Sequence, residues 1–304
     1  MHRRFHTTVV HSTLACTIAL LAACTHAPPA AAPTPPPSVT TTTAQHWFDD
    51  VRSIAQGGDN AGRRAAIGQQ LDGAGLAWRA SAFEIDKLKG ENLLADVGGR
   101  ADAPLLLLGA HSDRVDHGIG ATDNASGSAT VIELAKRLKA KPLRNHRVAI
   151  AFWDLEERGL LGAKAYIRDG GSKPALYVNF DVFGWGDTLW MMAPPQAQAL
   201  SQTSQASAQA MQLQFSGGEH YPPTDHLAFL KAGWPAVSYS LVGADEITQI
   251  LDMYAGKKLK TPPKVMRVIH SDADTLDQID AEAAARGVDA VEQALRAWDA
   301  ASAN

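Results

Sequence analysis

Short apolar runs alternate with segments of helical periodicity through most of the chain. We predict the apolar runs as strands because several are apolar at consecutive positions, as strands buried on both faces are. These runs are residues 92–97, 105–109, 148–153, 176–180 and 236–241. The predicted helices are residues 125–138, 160–168, 196–213, 245–254 and 281–298. The alternation predicts an α/β fold: a three-layer sandwich in which helices cover both faces of a mostly parallel, mixed central sheet.

The first 23 residues have the pattern of an export signal. A basic start with Arg3 and Arg4 precedes an apolar run that is too short to span a bilayer. The string Leu-Ala-Ala-Cys that ends at Cys24 resembles the bacterial lipobox, in which the cysteine becomes the lipidated first residue. We therefore predict a lipoprotein signal peptide at 1–23 and an exported protein whose Cys24 lipid holds it on a bacterial membrane, facing the periplasm or the cell exterior. The alternative is that Cys24 belongs to an uncleaved anchor.

Two changes in composition divide the rest of the chain. Residues 24–44 are almost entirely Ala, Pro and Thr, which cannot bury a core and predict an extended tether. Residues 45–304 have a globular composition without an internal repeat, so we predict a single domain there. The net charge of −4 gives no electrostatic support for nucleic-acid binding. The other cysteine, Cys16, would leave with the signal, which excludes thiolate metal sites and cysteine nucleophiles from the mature domain.

Histidines and carboxylates follow three predicted strands at their carboxyl ends, where open α/β sheets build their sites. They are His111 and Asp113, then Glu156 and Glu157, then Asp181. Two further candidates are Asp123, in the glycine-rich turn GATDNASG, and His270, in IHSDADT. Each feature alone is also typical of an ordinary surface loop. Together they supply the nitrogen and oxygen donors that zinc accepts when thiolates are absent.

Five motifs carry a resemblance to a known family: HSD, GATDNASG, DLEERGLLGAKAY, NFD and IHSDADT. In this order they resemble the zinc aminopeptidases of metallopeptidase family twenty-eight, which includes the secreted bacterial leucyl aminopeptidases. The similarity covers nearly the whole globular part, from residue 91 onward.

The resemblance implies a site with two zinc ions. Asp123 would bridge the ions, His111 and Asp181 would complete one coordination sphere, and Glu157 and His270 the other. Asp113 would orient the imidazole of His111, and Glu156 would be the general base that takes a proton from the attacking water. Tyr221, in HYPPTDH, would donate to the developing oxyanion. The implied substrates are peptides with a free N-terminus.

The sequence also departs from the family pattern. Arg114 stands where relatives often have serine, and Pro222 and Pro223 stand in the tyrosine segment near which relatives often have a cysteine pair. These changes leave the proposed ligands intact and affect the shape and charge of the substrate pocket. Thr224, Asp225 and His226 also match a family string, and we interpret Asp225 and His226 as structural. The apolar group after Asp181, which contains Trp185, Trp190, Met191 and Met192, fits either a specificity pocket or an edge strand packed on the core.

Three other functions remain to be weighed. Zinc glutaminyl cyclases resemble this family but bind a single zinc, and the DNASG and EERGLLGAKAY strings are closer to the peptidase branch. Carboxypeptidases and dipeptidases with similar ligands insert a further domain before the last histidine, and the stretch from Asp181 to His270 has no room for one. A lipoprotein that kept the fold as a non-catalytic scaffold would be expected to lack ligands or Glu156, whereas all six positions are present.

Overall fold

The computed structural model describes residues 41–302. The predicted signal peptide, Cys24 and most of the predicted tether lie outside these residues. Within them, no helix combines the length and the apolar character needed to cross a bilayer. Residues 41–44, which composition assigned to the tether, instead form the first turn of helix α1 (Thr41–Ala55), where Ala44 is buried.

A single mixed sheet of eight strands forms the centre of the described chain. Its strands are β1 (Trp78–Ile85), β2 (Leu88–Gly98), β3 (Leu105–His111), β4 (Arg147–Trp153), β5 (Leu176–Phe180), β6 (Thr188–Met192), β7 (Gln214–Gly218) and β8 (Ala236–Val242). Their order across the sheet is β1-β2-β4-β3-β5-β8-β6-β7. The central strands β4, β3, β5 and β8 run parallel, and antiparallel pairings join β2 to β4 and β8 to β6.

Helices cover both faces of this sheet. The remaining ones are α2 (Asn60–Gly73), α3 (Gly127–Ala140), α4 (Leu161–Arg168), α5 (Gln198–Ala210), α6 (His226–Lys231), α7 (Ala244–Tyr254), α8 (Lys264–Val268) and α9 (Ala281–Ala301). Helices α1, α2, α3, α5 and α9 pack with one face of the sheet in the largest apolar cluster, and α4 and α6 pack on the other face. The predicted three-layer α/β class is confirmed.

The apolar patterns explain why these segments take these places. Strands β3, β5 and β8 are buried at every position, as strands covered on both faces must be. Helix α9 presents a stripe of alanine and valine that lets it approach the neighbouring helix α5 closely. Asp280 caps α9 by accepting a hydrogen bond from the amide of Ala283, and Asp59 caps α2 in the same way through Gly62.

The structure differs from the sequence predictions at several elements. Helices α1, α2, α6 and α8 and strands β1 and β7 were not predicted, and a strand at β6 was considered only as an edge strand. The helix predicted at 196–213 is shorter, because a 3-10 turn precedes α5 and residues 211–213 lead into β7. The edge-strand interpretation of Trp190 is wrong, since β6 lies between β8 and β7.

The topology brings the candidate residues to one edge of the sheet. Strands β4, β3 and β5 are parallel neighbours, so their carboxyl ends meet. His111 is the last residue of β3, and Asp181 directly follows β5. Glu156 and Glu157 follow β4 after two residues.

Candidate active site

Asp123 lies at the centre of the candidate site, and its two carboxylate oxygens face two different histidines. Its Oδ1 is 3.0 Å from Nε2 of His111, and its Oδ2 is 3.1 Å from Nε2 of His270. Asp181 joins the first histidine, with its Oδ1 at 3.5 Å from His111 Nε2. Glu157 joins the second, with its Oε2 at 3.1 Å from His270 Nε2. The five side chains therefore form two groups that share one carboxylate.

Two carboxylate oxygens of this cluster accept no hydrogen bond from the part of the chain that the structure describes. Within residues 42–302, the buried atoms Glu157 Oε1 and Asp181 Oδ1 make no hydrogen bond. Single ligand atoms of His111, Asp123 and Glu157 all lie within 4.8 Å of one another. Buried carboxylate oxygens without a donor are costly unless a cation meets them. The donor set fits zinc, which takes imidazole nitrogen and carboxylate oxygen.

The charges of the cluster point to the same conclusion. Hydrogen bonds that His270 donates to the carboxylates of Asp123 and Glu157 raise its pKa from 6.5 to about 10. Burial disfavours a charged His111, yet the carboxylates of Asp181 and Glu156 raise its pKa well above its ordinary value. Burial alone would raise the pKa of Asp123, but the two histidines lower it. A site that holds protons this strongly has a negative potential, which favours cations.

The backbone takes unusual conformations where these residues are presented. His270, Val182 and Leu155 have positive φ angles of 57°, 56° and 59°. His270 is a candidate ligand, Val182 directly follows Asp181, and Leu155 directly precedes Glu156. The left-handed region is uncommon for residues other than glycine and clusters at functional sites. The positive φ angles turn the chain sharply at the sheet edge.

Asp113 connects two parts of the site. Its carboxylate accepts hydrogen bonds from the backbone amides of Glu156 at 3.0 Å and of Glu157 at 3.2 Å. The same carboxylate lies 3.4 Å from Nδ1 of His111, which is also 3.2 Å from the backbone oxygen of Asp113. A single buried side chain therefore positions both the first histidine and the glutamate pair.

Glu156 lies beside the cluster rather than within it. Its side chain lines the same cavity as Asp123 and His270. Burial raises the pKa of its carboxyl well above the ordinary value, and the nearby carboxylates of Asp225 and Asp181 add to that rise. A carboxylate with raised basicity next to a cation-binding cluster has the properties of a general base.

Tyr221 is connected to Asp181 through the hydroxyl of Ser240. Its hydroxyl is hydrogen-bonded to the hydroxyl of Ser240, which donates to the backbone oxygen of Asp181. Because Ser240 has only one hydroxyl proton, Tyr221 must donate to it in this arrangement. Tyr221 therefore has to turn from Ser240 before it can donate to another acceptor.

Two positioning residues escaped the sequence analysis. Asp274 accepts hydrogen bonds from the amides of Thr122 at 2.7 Å and Asp123 at 3.1 Å, which holds the turn that carries Asp123. Its place in IHSDADT was a usable signal. Arg63, in α2, is fully buried and donates to the backbone oxygens of Ser112, Ile119 and Gly120. No local motif marks Arg63, because its role depends on a loop about fifty residues away.

The string at 224–226 forms the start of helix α6 and its approach. Thr224 accepts a hydrogen bond from Asn179, a contact that ties the string to β5. Asp225 is fully buried, and within residues 42–302 neither of its carboxylate oxygens has a hydrogen-bond partner. Burial raises the pKa of Asp225 well above its ordinary value. His226 is also buried, and burial lowers its pKa to about 4.

A cavity of about 120 Å³ opens from the cluster. One end is formed by the carboxylates and histidines described above. The other lining residues are mainly apolar and include Trp190, Ile250 and Val265. Tyr254, at the end of α7, stands at the rim with 56% of its surface exposed. The cavity thus combines a polar, cation-binding end with space for an apolar side chain.

A comparison with protein families decides the family. The model of Peptidase family M28 matches residues 92–295, which is about two thirds of the chain and contains every candidate site residue. The chain belongs to peptidase family M28. Its five sequence motifs therefore have the family context that the resemblance implied.

Curated relatives of this M28 domain include named aminopeptidases. Leupeptin-inactivating enzyme 1 of Streptomyces exfoliatus is 31% identical over 77% of this chain and 55% of its own length. Leucine aminopeptidase 2 of Trichophyton rubrum is 33% identical over 55% of this chain and 39% of its own. A probable lipoprotein aminopeptidase, LpqL of Mycobacterium tuberculosis, is 35% identical over 38% of this chain and 24% of its own. The chain thus matches only about a quarter to a half of these relatives' lengths.

Solved structures share the fold of this M28 domain. The LapA aminopeptidase of Legionella pneumophila has a TM-score of 0.63 and 17% identity, and the match covers 83% of this chain and 69% of that one. A glutaminyl cyclase of Porphyromonas gingivalis has a TM-score of 0.65 and 21% identity, with 83% of this chain and 97% of that one covered. At these identities the likeness concerns the fold alone.

Proposed function

We propose that this M28 domain is a zinc-dependent aminopeptidase that removes N-terminal residues from peptides. The observation that carries the proposal is the divided role of Asp123, whose two oxygens face His111 and His270 at 3.0 and 3.1 Å. Two groups of donors that share one carboxylate suit a pair of cations a few ångströms apart. The names of the curated relatives support aminopeptidase activity.

The residues divide into two sets around Asp123. His111 and Asp181 would hold one zinc ion, Glu157 and His270 would hold the other, and Asp123 would bridge them. The oxygens Glu157 Oε1 and Asp181 Oδ1 support this assignment, because both are buried and neither makes a hydrogen bond with the described residues. When bound, the zinc pair supplies Lewis-acid activation of water and of the scissile carbonyl, and neutralises negative charge.

The remaining steps fall to side chains of this protein. Glu156 accepts the proton of the attacking water, for which burial has raised its basicity, and later delivers it to the leaving amine. Asp113 keeps Glu156 in place through that residue's backbone amide. Tyr221 turns from Ser240 and donates a hydrogen bond, while keeping its proton, to the oxygen that gains negative charge. The apolar end of the cavity accepts the side chain of the N-terminal residue.

We also propose that the enzyme is exported and held on a membrane by a lipid on Cys24. The string before Cys24 supports this location, and so does the name of the lipoprotein aminopeptidase among the relatives. A tether of Ala, Pro and Thr would then hold the domain away from the membrane surface.

The experiment uses the zinc-loaded full chain and a mixture of free, N-acetylated and N-terminal-glutamine peptides, followed by mass spectrometry. We expect stepwise loss of N-terminal residues from the free peptides only. The matched control, Glu156→Gln, keeps the size of the side chain, removes the base and should abolish the loss. Zinc content measured by plasma mass spectrometry should be two ions per chain in both proteins, and lower in Asp123→Asn.

The same mixture separates the alternatives. Loss of ammonia confined to glutamine peptides would indicate a glutaminyl cyclase, the activity named for a solved structure of this fold. Release of residues from C-termini would contradict the proposed polarity. Intact peptides in the presence of two bound zinc ions would favour a non-catalytic scaffold.

A further inference from the structure

A second groove borders the candidate site. It shares Glu157 with the cavity and also contains Asp113, so it begins at the same cluster. Unlike the cavity, the groove has charged walls. Its cations are Arg114, Arg158 and Lys89. Apart from Asp113 and Glu157, its one acid within residues 42–302 is Asp116.

Arg114 is fixed in place without a negative partner. Its Nε donates to the backbone oxygen of Gly58 at 2.9 Å, and its Nη1 donates to that of Val115 at 2.6 Å. The amide of Arg114 is itself held by the side chain of Asn60. Within residues 42–302, no carboxylate lies within ion-pair distance of the guanidinium. Neutral carbonyl oxygens orient the group but leave its positive charge uncompensated.

Arg158 adds a second uncompensated charge. It directly follows Glu156 and Glu157, is exposed, and makes no ion pair with any residue between 42 and 302. Lys89 is less significant, because it is opposite Glu84 in the register of β1 and β2. Among the residues that the structure describes, the groove therefore carries two guanidinium groups without an ion-pair partner beside a candidate zinc ligand.

We propose that this groove binds a carboxylate on the leaving-group side of the peptide substrate. The inference rests on the proposed aminopeptidase function. The apolar cavity suits the N-terminal side chain, so the rest of the peptide needs a second path away from the cluster, and the groove starts at Glu157. Guanidinium groups match carboxylates in shape and charge and bind them through paired hydrogen bonds.

Two kinds of peptide present such a carboxylate. A dipeptide or tripeptide carries its C-terminal carboxylate close to the scissile bond. A longer peptide presents one when an acidic residue follows the N-terminal residue. Both sources have the same chemistry, and their separate contributions can be measured.

The experiment compares two pairs of peptides on the zinc-loaded full chain at low ionic strength. The first pair is Leu-Ala-Ala and its C-terminal amide; the second is Leu-Asp-Ala-amide and Leu-Asn-Ala-amide. We expect the charged member of at least one pair to have a kcat/KM about fivefold higher, as for exposed ion pairs. The ratio should fall toward one in Arg114→Gln, in Arg158→Gln and at high salt. Arg144→Gln, an exposed arginine outside the groove, should keep the wild-type ratio.

Isothermal titration calorimetry of the same peptides gives a second readout that does not require turnover. Tighter binding of the charged peptides, lost in the two groove variants, would support the groove even if no peptide were hydrolysed, and only the proposed aminopeptidase function would then fail. Ratios near one for both pairs in the wild type would overturn the inference. Ratios that persist in both groove variants would also overturn it.

Discussion

Arg63 offers a direct test of how the loop after β3 is held. This residue is fully buried in α2 and donates to Ser112 oxygen at 2.7 Å, Ile119 oxygen at 2.9 Å and Gly120 oxygen at 3.2 Å. These acceptors lie at both ends of the loop between His111 and the turn of Asp123. Burial lowers the pKa of the Arg63 guanidinium to about 10, although Asp113 and other nearby acids oppose that shift.

The informative change is Arg63→Lys, which keeps the charge and removes the planar fork. The shorter ammonium can reach one of the three carbonyl oxygens, so two lose their charged donor. A hydrogen bond to a charged group contributes about 1.5–3 kcal/mol, and the two together predict a loss of about 3–6 kcal/mol of unfolding free energy. In a domain of this size, that loss corresponds to a fall in Tm of roughly 10 °C.

The assay is thermal unfolding of the full chain, metal-free, followed by circular dichroism. Arg52→Lys is the matched control, because Arg52 is exposed and pairs with Asp49 on the same helix. Its change should stay within about 0.5 kcal/mol. Zinc titration provides a second measurement: a loosened loop should weaken zinc binding about tenfold or more in Arg63→Lys, with no change in the control.

A loss below about 1 kcal/mol in Arg63→Lys would refute this reasoning. It would mean that the carbonyls find other donors, and that the loop is held by its packing rather than by the guanidinium. An unchanged zinc affinity together with a large loss of stability would restrict Arg63 to a structural role.

Four further predictions follow from particular contacts. Tyr221→Phe should lower kcat about 100- to 1000-fold with little change in KM, because only the oxyanion donor is removed; steady-state kinetics checks this. Asp299→Ala should cost about 3–5 kcal/mol in chemical unfolding yet leave the zinc content unchanged, since Asp299 accepts from the backbone amides of Arg144 and Asn145 and from the ring of His146 just before β4, far from the site. Cys24→Ala should move the protein from the membrane to the soluble fraction on cell fractionation. The pKa of His226 is about 4 in the folded protein and 6.5 when the side chain is exposed. The free energy of unfolding is therefore unaffected by this group above pH 6.5 and falls by up to about 3 kcal/mol as the pH drops toward 4. His226→Gln should flatten that part of a profile of Tm against pH.

Periodicity predicted the central elements of the fold and missed the peripheral ones. Strands β3, β5 and β8 are mostly apolar, and this pattern can be recognised in the sequence without knowing which strands lie beside them. Strand β7 has little burial, and its sequence resembles a loop. Strand β1 is largely exposed and exists as a strand because it pairs with β2 along its whole length. Such strands form because of the strands they pair with, and the sequence of the segment itself does not show that pairing.

The candidate ligands could be predicted because each follows directly from a local pattern. A buried strand that ends in a histidine or an acid places that residue at the carboxyl edge of the sheet, where parallel order brings the ends together. The sequence thus determined the fold class, the chemical type of the site and the residues that could hold a cation. It also indicated that Arg114 departs from the family pattern.

Only the tertiary structure decided how these residues relate to one another. Asp123 faces two histidines because the turn that carries it is held by Asp274, about 150 residues later. Arg114 is a free charge in a groove because carbonyl oxygens, and no carboxylate within residues 42–302, surround its guanidinium. Hydrogen bonds, burial and uncompensated charge depend on distances between segments that are remote in sequence, and local patterns do not contain those distances.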